Sequence, residues 1–111
     1  MESREKLLNM LSLCRKAGKL SMGFDSAKEA LVRKASRLCL LAADCSPKTA
    51  KEVRFFCGRE EVSCKDLPFR RGDLSKRMGK EYTVFSVNDD SFAASIQNLL
   101  TCTNEEDCVY D

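Results

Sequence analysis

The sequence predicts an α/β domain in which a sheet lies between layers of helices. Helical and strand-like hydrophobic patterns alternate along the whole chain, which is typical of this class. One continuous apolar run, Leu38 to Ala43, lies between charged residues and turn signals, as expected of a strand buried on both faces. The length of 111 residues suits a single hydrophobic core.

The first predicted helix begins at Ser3, a residue type that caps helices, and ends before Gly18. Arg15 and Lys16 fall in its last turn, where positive charge complements the helix dipole. Its inner face carries apolar side chains at helical spacing: Leu7, Leu8, Met10, Leu11 and Cys14. A short extended segment, Lys19 to Met22, follows and ends at Gly23.

Two further helices flank the buried strand. Ser26 and Glu29 match a capping box and predict the start of the second helix, with Ala27, Ala30 and Leu31 on its inner face. The third helix is predicted to begin at Ser46-Pro47 and to end at Gly58. Its inner face comprises Ala50, Val53, Phe56 and Cys57. Asp44, just after the strand, is expected to cap or hydrogen-bond the turn to Ser46.

The last fifty residues repeat the alternation. Val62 and Cys64 alternate with polar residues as in a short strand, and Pro68 to Gly72 is a basic loop. Asp73 is expected to cap a short helix that ends at Gly79. The final strand is predicted from Tyr82, Val84, Phe85 and Val87. One of Asn88, Asp89 and Asp90 is expected to cap the last helix. The inner face of that helix comprises Phe92, Ala93, Ile96, Leu99 and Leu100. Residues 1–100 are predicted to form the domain, and residues 101–111 a flexible acidic tail.

The composition argues against an enzyme and against bound cofactors. The chain has no histidine, so the commonest general base and every cysteine–histidine pair are missing. Its 7 cysteines form no Cys-x-x-Cys pair, so no metal site is predicted. An odd number of cysteines without an export signal favours reduced thiols in the cytoplasm. Cys45 at a helix start is the one candidate nucleophile, and no base accompanies it.

Charge is distributed unevenly along the chain. The net charge is +2, and the tail contributes four acidic residues and no basic one. Residues 1–100 therefore carry 19 basic and 13 acidic side chains, a net charge of +6. This excess suits a polyanionic partner, and solubility alone explains it equally well. No apolar run reaches the roughly 20 residues of a membrane helix.

Four segments together resemble the ribosomal L7Ae/L30e family, which includes kink-turn RNA-binding proteins and growth-arrest adaptor proteins. They read LLNMLSLCRKAGKLSMG from Leu7, LCLLAADCSPKT from Leu38, DLSKRMGK from Asp73 and TVFSVNDDSFAASI from Thr83. The opening Arg-Lys-Ala-Gly-Lys is most similar to the bacterial YlxQ-like branch. The resemblance implies a three-layer α-β-α sandwich around a mixed four-stranded sheet and a non-enzymatic, RNA-binding, ribosomal or ribosome-associated protein.

The resemblance also places the RNA-binding site at the start of the second helix and in the loop after the fourth. A glycine permits close approach, a helix N-terminus offers unpaired N–H groups, and lysines or arginines meet phosphates. The candidate RNA-binding residues are Lys19, Gly23, Phe24, Asp25, Ser26, Lys28, Lys76, Arg77, Gly79, Lys80 and Tyr82. The expected partner is structured RNA, bound by a cytoplasmic monomer.

Several alternatives stay open at this stage. Strong kink-turn binders carry an amide–acid pair and then a lysine, where this chain has Asp25, Ser26 and Glu29. Asp25 and Ser26 serve equally well as helix caps, and Phe24 as a core residue. The departures and the acidic tail also suit a protein-interaction adaptor on the same fold.

Overall fold

A computed structural model describes residues 3–109 of the chain, and the side chains of residues 4–101. It contains five helices and four strands in the described range. In chain order they are α1 (Ser3–Lys16), β1 (Leu20–Met22), α2 (Phe24–Val32), β2 (Leu38–Leu41), α3 (Pro47–Glu60), β3 (Ser63–Asp66), α4 (Arg71–Met78), β4 (Val84–Val87) and α5 (Asp90–Val109).

The four strands form one mixed sheet in the order β1-β4-β2-β3. Strand β4 is antiparallel to β1 and β2, whereas β2 and β3 are parallel. The parallel pair requires a crossover connection, which α3 supplies. The predicted fold class, an α-β-α sandwich with a mixed four-stranded sheet, is confirmed.

Strands β2 and β4 are buried on both faces, and their side-chain alternation divides the core in two. Leu40 and Phe85 point to one side, where the first core cluster also includes side chains of α1, α4 and α5. Leu41 and Val84 point to the other side and pack with α2 and α3 in the second core cluster. Each helical layer therefore has its own set of strand residues to cover.

Several predicted helix ends are confirmed. The Ser46 hydroxyl accepts the Thr49 N–H at 3.2 Å, with proline as the first helical residue. Asp89 is the cap of α5, since its carboxylate accepts the Phe92 N–H at 3.0 Å. Gly18 adopts a φ of 75°, as expected of the residue that ends α1.

Two other predicted ends are wrong. Helix α2 begins at Phe24 with Gly23 as its N-cap, because the Gly23 carbonyl accepts the Ala27 N–H at 3.0 Å. The predicted capping box of Ser26 and Glu29 is therefore not the helix start. Helix α3 continues past Gly58, because Glu61 takes the left-handed conformation instead, with a φ of 59°.

The predicted start of α4 is also wrong, and α5 extends beyond residue 100. Helix α4 begins at Arg71, inside the predicted basic loop, and Asp73 is its third residue. The Asp73 carboxylate still satisfies the helix start by accepting the Arg70 N–H at 3.3 Å. Helix α5 runs through the predicted boundary at residue 100 to Val109. The flexibility of residues 101–111 stays a prediction.

A chain of hydrogen bonds crosses the second face of the sheet, which is the face that α2 and α3 cover. The Ser86 hydroxyl, fully buried on β4, lies 2.7 Å from both the Ser36 hydroxyl and Asn88 Oδ1. A hydroxyl has one proton, so Ser86 donates to the amide oxygen and accepts from Ser36. Asn88 then donates to Ser21 on β1 at 2.9 Å, and Ser36 contacts the Cys39 sulphur at 3.6 Å. These bonds satisfy polar groups that burial would otherwise penalise.

We expect Ser86→Ala to lower the free energy of unfolding by on the order of 1–3 kcal/mol, because it leaves buried partners unpaired. Urea unfolding measures this change. The matched control is Ser63→Ala on the exposed side of β3, expected to change stability by less than about 0.5 kcal/mol. Equal effects of the two substitutions would show that the buried chain adds no stability.

Candidate nucleic-acid interface

The turn before α2 and the loop before β4 meet at one edge of the sheet. Strands β1 and β4 are antiparallel, and Met22 pairs with Phe85, so β1 ends where β4 begins. The Gly23 N–H donates to the Val84 carbonyl at 2.7 Å and ties the two segments together. Segments almost sixty residues apart in sequence therefore form one surface, which we call the turn–loop surface: residues 23–26 and 79–82.

Gly23 lies at the centre of the turn–loop surface. Its φ is 99°, a value that residues with a Cβ rarely adopt. A Cβ at this position would also lie 3.3 Å from two ring carbons of Tyr82. Both the backbone conformation and the closeness of the ring therefore require glycine here.

The first turn of α2 faces this edge. The N-cap residue is Gly23, and no side chain caps the helix start. The N–H groups of the first turn therefore have no side-chain cap as their acceptor. Asp25 and Ser26 are exposed beside them. Phe24 is half-buried and packs against the second core cluster, in agreement with the core interpretation of this side chain.

The loop contributes a lysine and a tyrosine. Gly79 ends α4 with a φ of 86° and donates its N–H to the Ser75 carbonyl at 2.8 Å. Lys80 then projects as an exposed side chain. Tyr82 is half-buried and packs against the first core cluster as well as Gly23. The Tyr82 ring therefore packs between Gly23 and the first core cluster.

The structure places the other candidate residues elsewhere. Lys19 precedes β1 and lies at its opposite end, where its carbonyl accepts the Asn88 N–H. The Lys28 ammonium lies 4.9 Å from the centre of the Phe56 ring. Arg77 donates to Glu5 at 2.6 Å on α1, and Lys76 lines a neighbouring groove.

That groove was not predicted from the sequence. It lies between α1 and α4, has a volume of about 510 Å³, and is lined by Asn9, Ser12, Leu13, Arg15, Lys16, Lys76 and Arg77. Arg15 and Lys16 were interpreted only as favourable helix-end charges. Their meeting with Lys76 depends on how α1 and α4 pack, which no local pattern shows.

Asp44 has a different role from the predicted one. Its carboxylate accepts the Arg71 N–H at 2.9 Å and a hydrogen bond from the Arg71 guanidinium at 3.0 Å. The backbone hydrogen bond from Arg71, followed by the guanidinium, holds the pKa of Asp44 below its usual value. This pair joins the end of β2 to the start of α4 and so positions the helix that leads into Lys80.

The chain also matches a protein-family model. The model is described as the ribosomal protein L7Ae/L30e/S12e/Gadd45 family, and it matches residues 5–94. The chain belongs to this family. The matched range contains both segments of the turn–loop surface.

Two bacterial relatives support the predicted branch. The RNA-binding protein YlxQ of Enterococcus faecium is 29% identical over 98 residues, which cover 88% of this chain and 94% of that protein. The RNA-binding protein YlxQ of Bacillus subtilis (strain 168) is 33% identical over 92 residues, covering 82% and 91%. The resemblance to the YlxQ-like branch is confirmed.

A solved structure has the same fold. A protein of unknown function from Bacillus halodurans superposes with a TM-score of 0.80 at 27% identity, covering 86% of this chain and 97% of that one. Among the residues described here, no helix has the length and apolar character needed to cross a membrane.

We expect Gly23→Ala to lower the free energy of unfolding by about 1–3 kcal/mol, because it combines an unfavourable φ with a tight contact to Tyr82. The control is Gly58→Ala inside α3, where a Cβ meets no atom within 4 Å. That substitution should stabilise the protein by roughly 0.5–1 kcal/mol. Urea unfolding of both variants checks the pair, and a neutral Gly23→Ala would contradict the requirement for glycine.

Proposed function

We propose that this protein binds structured RNA through the turn–loop surface, without catalysis, as a cytoplasmic monomer associated with ribosomal or similar RNA. One observation carries the proposal. The start of α2, which follows Gly23 and has no side-chain cap, lies beside the loop that exposes Lys80. The names of the YlxQ relatives, both described as RNA-binding proteins, support it.

The chemistry of the surface suits unpaired nucleotides. The amide groups and positive dipole end of α2 attract a phosphate or an acceptor on a base edge. Asp25 and Ser26 lie beside these amides and offer hydrogen-bonding groups to bases. Lys80 adds a charge that meets the backbone phosphates. Such a surface favours internal loops and bends, where bases are not paired, over regular duplex.

A protein-binding role is less well supported at the same surface. The large hydrophobic side chains exposed in the described range are Leu13, Val32 and Phe55. None of the three lies in the turn–loop surface. An adaptor would more commonly present an apolar patch where its partner docks.

The proposal predicts a preference for kinked RNA. Full-length protein is titrated into a labelled kink-turn RNA and a straight duplex of equal length, at about 50 and about 200 mM salt. We expect tighter binding to the kink-turn RNA, and a difference that persists at the higher salt, because amide and side-chain contacts to bases are less salt-sensitive than phosphate contacts. Lack of binding to either RNA would contradict the proposal. Equal binding to both would contradict recognition of unpaired bases.

Lysine substitutions locate the contact. Lys80→Ala should weaken kink-turn binding by severalfold and reduce the salt slope by about 1, since one phosphate contact is lost. Lys19→Ala is the matched control, because Lys19 is also an exposed lysine and lies at the opposite end of β1. If Lys19→Ala weakens binding as much as Lys80→Ala, the contact surface is not the one proposed.

Glu29 provides a test in the opposite direction. It is exposed on α2, and its carboxylate lies 3.9 Å from the Arg33 guanidinium. An ion pair this exposed contributes little to stability. We expect Glu29→Lys to tighten RNA binding and raise the salt slope by about 1, because it restores the positive charge typical of kink-turn binders. Glu52→Lys, an equal charge change on exposed α3, controls for net charge. Equal gains for both variants would assign the effect to net charge alone.

A further inference from the structure

Three cysteines come together on the second face of the sheet. Cys39 on β2 and Cys64 on β3 are direct partners in the parallel register, so both side chains project toward the same helical layer. Helix α3 covers this face and contributes Cys57 from its buried side. Cys39 and Cys57 are both buried in the second core cluster, and Cys64 packs against that cluster.

Cys64 is the accessible member of this cluster. It is only partly buried, because β3 is an edge strand of the sheet. The Arg54 guanidinium on α3 pairs with Asp66 at 2.8 Å, two residues along β3 from Cys64. The hydrogen bond from Cys57, and then the charge and hydrogen bond of Arg54, lower the pKa of the Cys64 thiol to about 7 despite partial burial and the opposing charge of Asp66. A large fraction of this side chain is therefore thiolate, the nucleophilic form, at neutral pH.

Cys57 has the complementary property. It is 2% exposed, and its hydrogen bonds to Cys39 and Cys64, together with burial, raise its pKa well above the usual range. It therefore keeps its proton and donates to one neighbouring sulphur at a time. When a thiol lies beside a reactive thiolate, the thiolate can react with an oxidant and the neighbouring thiol can then resolve the oxidised sulphur.

We propose that Cys64 is a site of reversible oxidation by hydroperoxides, and that Cys57 resolves the oxidised sulphur by forming a Cys57–Cys64 disulfide. The Cys64 thiolate attacks one peroxide oxygen, so that an S–O bond forms while the O–O bond breaks and hydroxide leaves. The Cys57 sulphur then attacks the Cys64 sulphur as its proton is released, and the S–OH oxygen leaves as water. The two cysteines lose two electrons together, and hydrogen peroxide is reduced to two water molecules.

The other thiols of the described range fit this role less well. Cys39 is fully buried, and its sulphur contacts the Ser36 hydroxyl at 3.6 Å. Cys14 is also fully buried, and burial raises its pKa to about 11. Cys45 is partly exposed, but it lies outside the β2–β3 register that pairs Cys39 with Cys64. The described cysteine and acidic side chains include no group of three arranged to hold a metal ion.

Peptide mapping tests the proposal directly on the full-length protein. The reduced protein is treated with a small excess of hydrogen peroxide, alkylated and digested with trypsin, which separates residues 55–59 from residues 60–65. We expect a disulfide-linked pair of these two peptides, lighter than the separate peptides by two hydrogen atoms, and its loss on treatment with dithiothreitol. Cys45→Ser should leave the yield unchanged, whereas Cys64→Ser should abolish the linked pair. A disulfide from Cys64 to any other cysteine, or a reduced Cys64 while other thiols are oxidised, overturns the proposal.

Two further measurements remain informative if a variant folds poorly. In the wild-type protein at neutral pH, we expect iodoacetamide to modify Cys64 several times faster than Cys45, because a pKa of about 7 keeps much of the Cys64 side chain in the thiolate form. An equal or slower rate at Cys64 overturns its role. In Cys57→Ser, which changes a single atom, peroxide should leave Cys64 as a sulfenic acid that dimedone traps. Failure to trap it in the folded variant overturns the role of Cys57 as the resolving thiol.

Discussion

The burial of β2 and β4 on both faces is the constraint on which the rest of the structure depends. Every residue in these strands must be apolar or have its polar group paired, because no water reaches them. Alternation then directs Leu38, Leu40, Phe85 and Val87 toward α1 and α5, and the remaining strand residues toward α2 and α3. The two helical layers thus differ in kind. The first covers a wholly apolar strand surface, and the second covers one that includes Cys39 and Ser86.

That difference explains a row of hydroxyl and thiol groups across the sheet. Ser21, Ser86, Cys39 and Cys64 occupy paired positions on the four successive strands. Ser86 has its polar group satisfied through hydrogen bonds to Ser36 and Asn88. At the β3 end of the row, the partners are Cys57 and Arg54 of α3 instead. The same requirement that stabilises the centre of the sheet therefore produces a polarised thiol at its edge.

The sequence was most informative where a side chain decides a local contact. Ser46 and Pro47 predicted the start of α3 because a cap bonds to a residue three positions away. The same local logic failed at Ser26, since Gly23 begins α2 earlier through a carbonyl that every residue possesses. The Asp44–Arg71 pair spans 27 residues, so only the fold brings it together. In the same way, the cysteines were recognisable as small buried residues, but their clustering required the β2–β3 register.

The turn–loop surface and the thiol cluster are connected through one element, helix α2. Its first residues form the candidate interface, while Ala27 and Leu31 on its buried face pack in the same core cluster as Cys57. A Cys57–Cys64 disulfide would join α3 to β3 within this cluster. Gly23 is held separately, by the Val84 carbonyl and the Tyr82 ring on the side of the sheet away from β3. The interface therefore depends on β1 and β4 for its geometry, and we expect oxidation at the opposite edge of the sheet to leave those contacts in place.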